Sequence, residues 1–326
     1  MRWSVDFLLA EVLPAYPQEL DRATGLRDES LVTGNRSWLV LQSFRAVPFV
    51  TRERDQIMPD NPAEGFAWQL RVWDQMADVY QREIDTRFLP VIEQVLKRAA
   101  LRPGETILDL GTGTGAVAIL ATTQVGTTGR IKAVDISPEM LAKARVLAQH
   151  LQLTNIDLAE GRAEAIPAAD RSVDAVLASL SLMYVIDRAT AAKEIARVLR
   201  PGGRFVAAVW GGPSETDIVK FQQTAGGFAP APPVQGVGPG ALADPSEFLS
   251  QLQAAGLDAK CEKVTTTFEF AKFQDAWDAL AGVTAAALEP KTQEEAKAAV
   301  RKLMWPNELL PRTFRNSTQL IYAKAS

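Results

Sequence analysis

The chain has 326 residues, 47% hydrophobic and 23% charged, with 35 Lys plus Arg against 39 Asp plus Glu and a net charge of −4. This reads as an ordinary globular chain with enough apolar material for a full core, and the acidic balance argues against a nucleic-acid partner. A single cysteine, Cys261, and a single histidine, His150, exclude an intramolecular disulfide, a cysteine cluster and a histidine-rich site, so no bound metal is expected.

No apolar run approaches the length of a membrane span, and Asp6 and Glu11 interrupt the apolar stretch near the start. The expectation is a cytoplasmic protein with neither a leader nor a membrane partner. Residues 1–65 form an extension of unknown role. Prolines at positions 14, 17, 48, 59 and 62 divide it, and Ser37–Phe44 reads as a strand or a short helix. The extension either lies on the core, where it could support an oligomer contact, or precedes a true start near Met58.

From Phe66 the pattern is helical, with Trp68, Val72, Met76 and Val79 or Tyr80 forming one apolar stripe. A second helix is predicted from Asp85 to Ala99, and Arg102-Pro103-Gly104 turns the chain into a strand. Ile107, Leu108 and Leu110 make that strand short, apolar and buried. Gly111, Gly113 and Gly115 then allow a sharp backbone turn, and the apolar residues from Ala116 to Leu120 open a helix. Strand, glycine loop and helix start place free N–H groups beside the crevice at a strand's carboxyl end, where nucleotide-like ligands bind.

Arg130–Asp135 is a second strand ending in an acid about 20 residues beyond the last glycine, the spacing at which a carboxylate grips a ribose diol. Ser137 is the expected N-cap and Pro138 the first residue of the following helix. A third strand covers Asn155–Ala159 and a fourth Ser172–Ala178. A helix follows from Asp187 to Leu199, and a fifth strand from Arg204 to Trp210. Phe221–Pro245, rich in Gly, Pro and Ala, reads as a loop or a mobile cover. Asp244 is the expected N-cap acid of the next helix. Val264–Phe270 alternates and is a strand. Trp277–Leu303 reads as helical, and Thr318–Ala323 as a final strand antiparallel to its neighbour.

Four motifs occur in order: Asp109-Leu110-Gly111-Thr112-Gly113-Thr114-Gly115, Val134-Asp135-Ile136-Ser137, Gly161–Pro167, and Arg197–Phe205. Together they resemble the class I S-adenosylmethionine-dependent methyltransferases, in particular the small-molecule branch that includes the quinone-biosynthesis C-methyltransferases. The resemblance is good from about Trp73 to Trp210. It implies an α/β, Rossmann-like, doubly wound, mostly parallel seven-stranded sheet with the last strand antiparallel, plus a helical cap. Residues 66–326 would form the methyltransferase domain, with 213–250 and 271–310 as lid or cap segments.

The same resemblance implies S-adenosylmethionine as cofactor and a set of residues for it. Asp109 would lie near the methionine amino end, Gly111, Thr112, Gly113 and Gly115 under the cofactor, and Asp135 on the ribose hydroxyls. Ile136, Met140, Arg162, Ala163, Glu164, Ser179 and Tyr80 complete the group. Family members usually carry an acid where Arg162 stands; Arg162 has only donors, so its side chain cannot accept from an adenine amine. Trp73 and Tyr80 are read as either cofactor contacts or packing. Tyr184 and Ser181, beyond the fourth strand, are the candidate catalytic or orienting groups for a small-molecule acceptor, while His150 is expected at the surface.

Two rivals stay open. The loose glycine match also fits a nicotinamide-dependent oxidoreductase. The missing histidine and Arg162 also fit a catalytically silent S-adenosylmethionine-binding domain that serves as a partner or sensor.

Overall fold

In the computed structural model, residues 62–282, 288–307 and 309–325 are described. Nearly all of the N-terminal extension, including Ser37–Phe44, lies outside the described residues. The first helix, α1 (Pro62–Val79), begins inside the segment assigned to the extension.

Helix α1 runs into a π-helical turn at Tyr80–Ile84, closed by the Asp85 N–H donating to the Tyr80 carbonyl, and on into α2 (Asp85–Ala99). Such a turn carries one more residue than an α-turn and re-aims the side chains that follow it. Here it delivers Tyr80 and Asp85 to the same side. The remaining elements are β1 (Thr106–Leu110), α3 (Ala116–Val125), β2 (Arg130–Asp135), α4 (Pro138–His150), β3 (Ile156–Glu160) and β4 (Val173–Ser179). A 3₁₀ turn at Leu182–Tyr184 precedes α5 (Arg188–Val198) and β5 (Leu199–Trp210). Then follow α6 (Asp217–Gly226), α7 (Ser246–Ala254), β6 (Leu257–Phe270), α8 (Phe273–Leu280), α9 (Pro290–Met304) and β7 (Arg312–Ala325).

The sheet has seven strands in the order β3-β2-β1-β4-β5-β7-β6. Strands β1 to β5 pair parallel, and β7 is antiparallel to both of its neighbours, as expected from the sequence. The strand order reverses between β1 and β4, which are direct neighbours. That switch point opens a crevice at the carboxyl ends of the strands, so it sets where a ligand can enter.

Helix α3 is apolar all round because it is buried all round: Ala116 to Thr122 and Val125 are enclosed. Ser137 caps α4 as predicted, its Oγ accepting from the Met140 N–H at 3.1 Å. The same Oγ donates to Asp74 of α1 at 2.6 Å, which fastens α1 across the end of β2. The amino ends of β1 and β4 are tied by Asp174, which accepts from the Thr106 N–H at 2.8 Å and from Arg200.

Several boundaries differ from expectation: β6 begins at Leu257 rather than Val264, β7 at Arg312 rather than Thr318, and the segment Trp277–Leu303 is divided between α8 and α9. Phe221–Gly226 is the second half of α6, not loop, because Ile218, Phe221 and Ala225 recur at helical spacing and are buried. Strand β5 begins at Leu199 rather than Arg204. Leu199 pairs Val173 and Arg204 pairs Ala175, so Pro201-Gly202-Gly203 sits in a bulge instead of ending the preceding helix. Asp244, the expected cap, lies one residue ahead of the observed N-cap, Pro245. Its carboxylate still accepts from the Ser246 N–H and hydroxyl.

A chain of aromatic rings unites the C-terminal half with the crevice. Phe88 of α2 meets Trp210 at 5.3 Å and Phe268 at 5.9 Å, and Phe268 stacks on Phe314 at 5.7 Å. In the other direction Phe88 meets Tyr80 at 6.2 Å. Edge-to-face rings at these separations add about 0.5–1.5 kcal/mol each beyond area burial. No helix among the described residues is long and apolar enough to cross a membrane.

Candidate active site

Two cavities meet at the carboxyl ends of the strands. The first is lined by Gly111 and Gly113 of the loop after β1, Asp135, Ile136 and Met140 after β2, and Ala163 and Glu164 after β3. Ser179 and Ser181 close its side at the end of β4, and Phe66, Gln69 and Trp73 of α1 roof it together with Tyr80 of the π-turn.

The glycine loop is shaped by what surrounds it. Gly111, Gly113 and Gly115 all have positive φ, the left-handed region that glycine enters without steric cost. Their surroundings differ. A Cβ on Gly111 would stand 2.3 Å from the Ser181 Cβ, and one on Gly115 3.0 Å from the Ala144 Cβ; a Cβ on Gly113 would meet nothing within 4 Å. Gly111 and Gly115 therefore serve close packing, while Gly113 borders open space.

Asp135 is the centre of the site. One carboxylate oxygen accepts from the Gly113 N–H at 2.8 Å and the other from the Ser137 N–H at 3.0 Å. Burial raises its pKa, these backbone donors and the Ile136 N–H pull it down, and the Asp74 charge pushes it up; the net shift is upward. The carboxylate is thus fixed in place at the wall of the cavity.

Asp109 lies behind this wall. It is 1% exposed, and its carboxylate accepts from the Thr112 hydroxyl at 2.6 Å. Burial lifts its pKa to about 7, against the Thr112 and Ala118 donors and with help from the Asp135 charge. Asp85 was not singled out from the sequence. Delivered by the π-turn, it accepts from the Thr114 hydroxyl of the glycine loop at 2.7 Å, and burial lifts it to about 7 as well. A small cavity of about 40 Å³ beside it is bordered by Tyr80, Gly111, Thr112, Gly113 and Ser179.

Other candidate residues fall outside the cavity wall. Arg162 is exposed, its guanidinium 4.8 Å from the centre of the Phe66 ring, while Ala163 and Glu164 line the cavity in its place. Gly115 serves as N-cap of α3. Thr112 turns its hydroxyl to Asp109. His150 is exposed at the end of α4.

The second cavity, of about 390 Å³, shares Gln69, Trp73, Tyr80, Leu180 and Tyr184 with the first. The predicted apolar stripe Trp68, Val72 and Met76 forms one wall. It remains half-buried because it faces this cavity rather than the core. Phe88, Met183, Trp210 and Ile218 form another wall, and the segments 229–239 and 279–282 close the far side. Arg188 fastens the first of these segments: its guanidinium donates to the carbonyls of Leu182 and Met183 at 3.2 and 3.1 Å and to that of Gly236 at 2.7 Å.

At the junction stand Tyr184 and Ser181. Tyr184 meets Trp73 edge-to-face at 4.8 Å, and burial raises its pKa, so its hydroxyl keeps its proton at neutral pH. Ser181 Oγ donates to the Leu110 carbonyl at 2.7 Å. Both groups are suited to orientation rather than to proton abstraction. Among the described residues, neither cavity is lined by a lysine or a histidine.

With this geometry in view, the family comparison is decisive for the central segment. Residues 108–207 match a family model described as a methyltransferase domain, a span that contains all four motifs. Over this span the chain is similar to a methyltransferase domain. An arsenite methyltransferase from Halobacterium salinarum is 39% identical over 106 residues, 32% of this chain and 27% of that protein. A demethylmenaquinone methyltransferase from Oceanobacillus iheyensis is 37% identical over 114 residues, 35% of this chain and 48% of that protein. A ubiquinone/menaquinone biosynthesis C-methyltransferase from Klebsiella pneumoniae is 36% identical over 109 residues, 33% of this chain and 43% of that protein. The chain thus spans less than half the length of each of these curated relatives.

Among solved structures, the YcgJ protein of Bacillus subtilis superposes with a TM-score of 0.54 at 21% identity, covering 72% of this chain and 97% of that one. A putative methyltransferase from Bacillus halodurans gives 0.54 at 20% identity over the same shares. Both establish the Rossmann-like arrangement around the methyltransferase domain.

Proposed function

We propose that this chain transfers a methyl group from S-adenosylmethionine to a small-molecule acceptor by in-line displacement at the junction of the two cavities. The observation that carries the reading is the Asp135 carboxylate, pinned by the Gly113 and Ser137 N–H groups at the wall of a cavity over a glycine loop. The residues present fit the cofactor. Asp135 would hold the ribose hydroxyls, Ile136 and Met140 an adenine face, and the floor around Asp85 and Asp109 the ammonium end. When bound, S-adenosylmethionine supplies an electrophilic methyl group on a cationic sulfur.

The protein's part is alignment and exclusion of water. Trp73, Tyr80 and Tyr184 border both cavities, and their ring faces favour a neighbouring cation. Ser181 and Tyr184 orient the acceptor, and the segment held by Arg188 covers it. Among the described residues no lysine or histidine lines either cavity, so an acceptor that ionises readily needs no further help, while an unactivated alcohol would need a carboxylate or tyrosine as base. No tyrosine of the chain stands four residues before a lysine, the pairing that would favour a nicotinamide-dependent oxidoreductase. The relatives' names, an arsenite methyltransferase and two quinone-biosynthesis methyltransferases, favour a small-molecule acceptor, and oxygen, carbon or nitrogen is the methylated atom in this proposal.

Isothermal titration with S-adenosylhomocysteine tests the reading. Wild type binds, and Asp135→Ala loses at least about tenfold in affinity, the scale of a lost charge-assisted hydrogen bond. Equal behaviour of the two proteins, or no binding by wild type, refutes it. Tight binding without S-adenosylhomocysteine production across an acceptor panel would instead indicate a silent binding domain.

A further inference from the structure

Among the described residues, Gln69, Trp73, Tyr80, Leu180 and Tyr184 border both cavities. A methyl group passing from a cofactor in the first cavity to an acceptor in the second must move past these side chains. Three of them are aromatic and one is aliphatic. Gln69 of α1 brings the one amide to the junction.

Gln69 is 5% exposed, and its Nε2 donates to the Tyr184 carbonyl at 2.7 Å. A carbonyl oxygen can only accept, so this contact fixes the nitrogen end of the amide and with it the oxygen end. The Oε1 takes no hydrogen bond from any described residue, yet it is not sealed inside the packing as the amide oxygens of Gln222 and Gln251 are. The surface it keeps lies on the cavities that Gln69 lines.

An amide oxygen is the negative end of a dipole, and in a site of low polarity it favours a neighbouring cation. A sulfonium has no N–H or O–H to donate. It carries a positive charge and polarised C–H bonds, which an oxygen that can only accept is suited to meet. The surrounding rings favour the same charge: Trp73 meets Tyr184 edge-to-face at 4.8 Å and Tyr80 at 6.2 Å.

We infer that Gln69 selects the charged form of the cofactor, its Oε1 facing the sulfonium and distinguishing S-adenosylmethionine from neutral S-adenosylhomocysteine. This rests on S-adenosylmethionine occupying the first cavity with its methyl group toward the second. On transfer, an electron pair of the acceptor forms the new bond to carbon, and the pair of the broken S–C bond stays on sulfur. The sulfur is then neutral and its attraction to Oε1 is lost. Gln69 therefore holds the methyl donor more firmly than the spent product.

Calorimetric titration of the full chain without acceptor tests this with three ligands. They are S-adenosylmethionine, S-adenosylhomocysteine and sinefungin, in which an amine-bearing carbon replaces the methylated sulfur. Gln69→Leu is expected to weaken S-adenosylmethionine and sinefungin by about fivefold to tenfold while S-adenosylhomocysteine changes by no more than about twofold. Gln69→Met, equal in length and lacking the oxygen, gives the same split should the leucine variant not fold. The ratio of affinities is the readout, because loss of the Tyr184 contact alone would shift all three ligands together. A uniform loss across the three, or no loss for any, overturns the inference. Wild type that binds none of them removes the cofactor reading and the inference with it, a failure told apart by the silence of wild type itself.

Discussion

The Thr114 hydroxyl lies 2.7 Å from both carboxylate oxygens of Asp85, joining the start of α2 to the glycine loop after β1. The helix that continues from the roof of the site and the loop that floors it are therefore joined by a hydroxyl–carboxylate contact. Asp85 lies next to Tyr80, whose own ionisation is pushed far up, first by burial and then by the Asp85 charge.

That contact makes ligand affinity depend on pH. Asp85 and Asp109 both carry pKa values raised to about 7 by burial, and an ammonium group beside them would favour their charged forms. Binding of S-adenosylhomocysteine should release protons and strengthen as pH rises from about 6 to about 8. Calorimetry in two buffers of different ionisation enthalpy measures the release, and Asp85→Asn should reduce it.

Stability without ligand should run the other way. Each of these acids has a folded-state pKa above its ordinary value of 3.8, so the folded state binds the proton more tightly. Their contribution is complete below about pH 4 and is lost as pH rises towards about 7. Asp85→Asn retains an acceptor for Thr114 and removes the burial cost of a charge. Its melting temperature should exceed that of wild type at about pH 8, with the gap closing at about pH 5. Parallel melting curves at the two pH values decide this.

Glycines in the loop should separate folding from binding. Gly113→Ala places a methyl group in open space at a φ of +55°, so it should fold at a cost of about 1–2 kcal/mol while narrowing the cradle and weakening S-adenosylhomocysteine binding. Gly111→Ala drives a Cβ into Ser181 at a φ of +75° and should cost roughly 2–5 kcal/mol. Denaturant titration together with calorimetry distinguishes the two effects.

Arg188→Leu should free the segment around Gly236 without unfolding the sheet, since its three carbonyl contacts join that segment to the 3₁₀ turn. Amide hydrogen exchange across residues 229–240 should quicken by about tenfold or more, while exchange in β1 and β4 stays unchanged. Arg188→Lys should rescue little, because a single ammonium cannot reproduce the planar fork that reaches all three carbonyls.

The features readable from sequence were those with a local physical signature. The apolar run Ile107–Leu110, the glycines after it and the Ser137-Pro138 cap each dictate their own conformation. Asp135 could be placed because a strand end and a fixed spacing define it. Asp85 had no such signature: an acid in a helix becomes notable only after the π-turn points it at Thr114. Arg162 was drawn towards the site by its position in a motif, yet its side chain leaves the wall for the Phe66 ring. Phe221 was hidden by the Gly- and Pro-rich sequence after it, though the spacing of Ile218, Phe221 and Ala225 carried the helical signal. The aromatic series from Trp73 to Phe314 joins residues more than two hundred positions apart, and nothing in their local patterns pairs them.

The position of β7 between β5 and β6 has a consequence for synthesis. Both flanking strands emerge from the ribosome before the strand that hydrogen-bonds to each of them. Until Arg312–Ala325 arrives, the nascent chain carries two bare strand edges, one along Arg204–Trp210 and one along Leu257–Phe270. Such edges invite pairing with other chains, so the interval before release is the stage at which this protein most needs a chaperone's shelter.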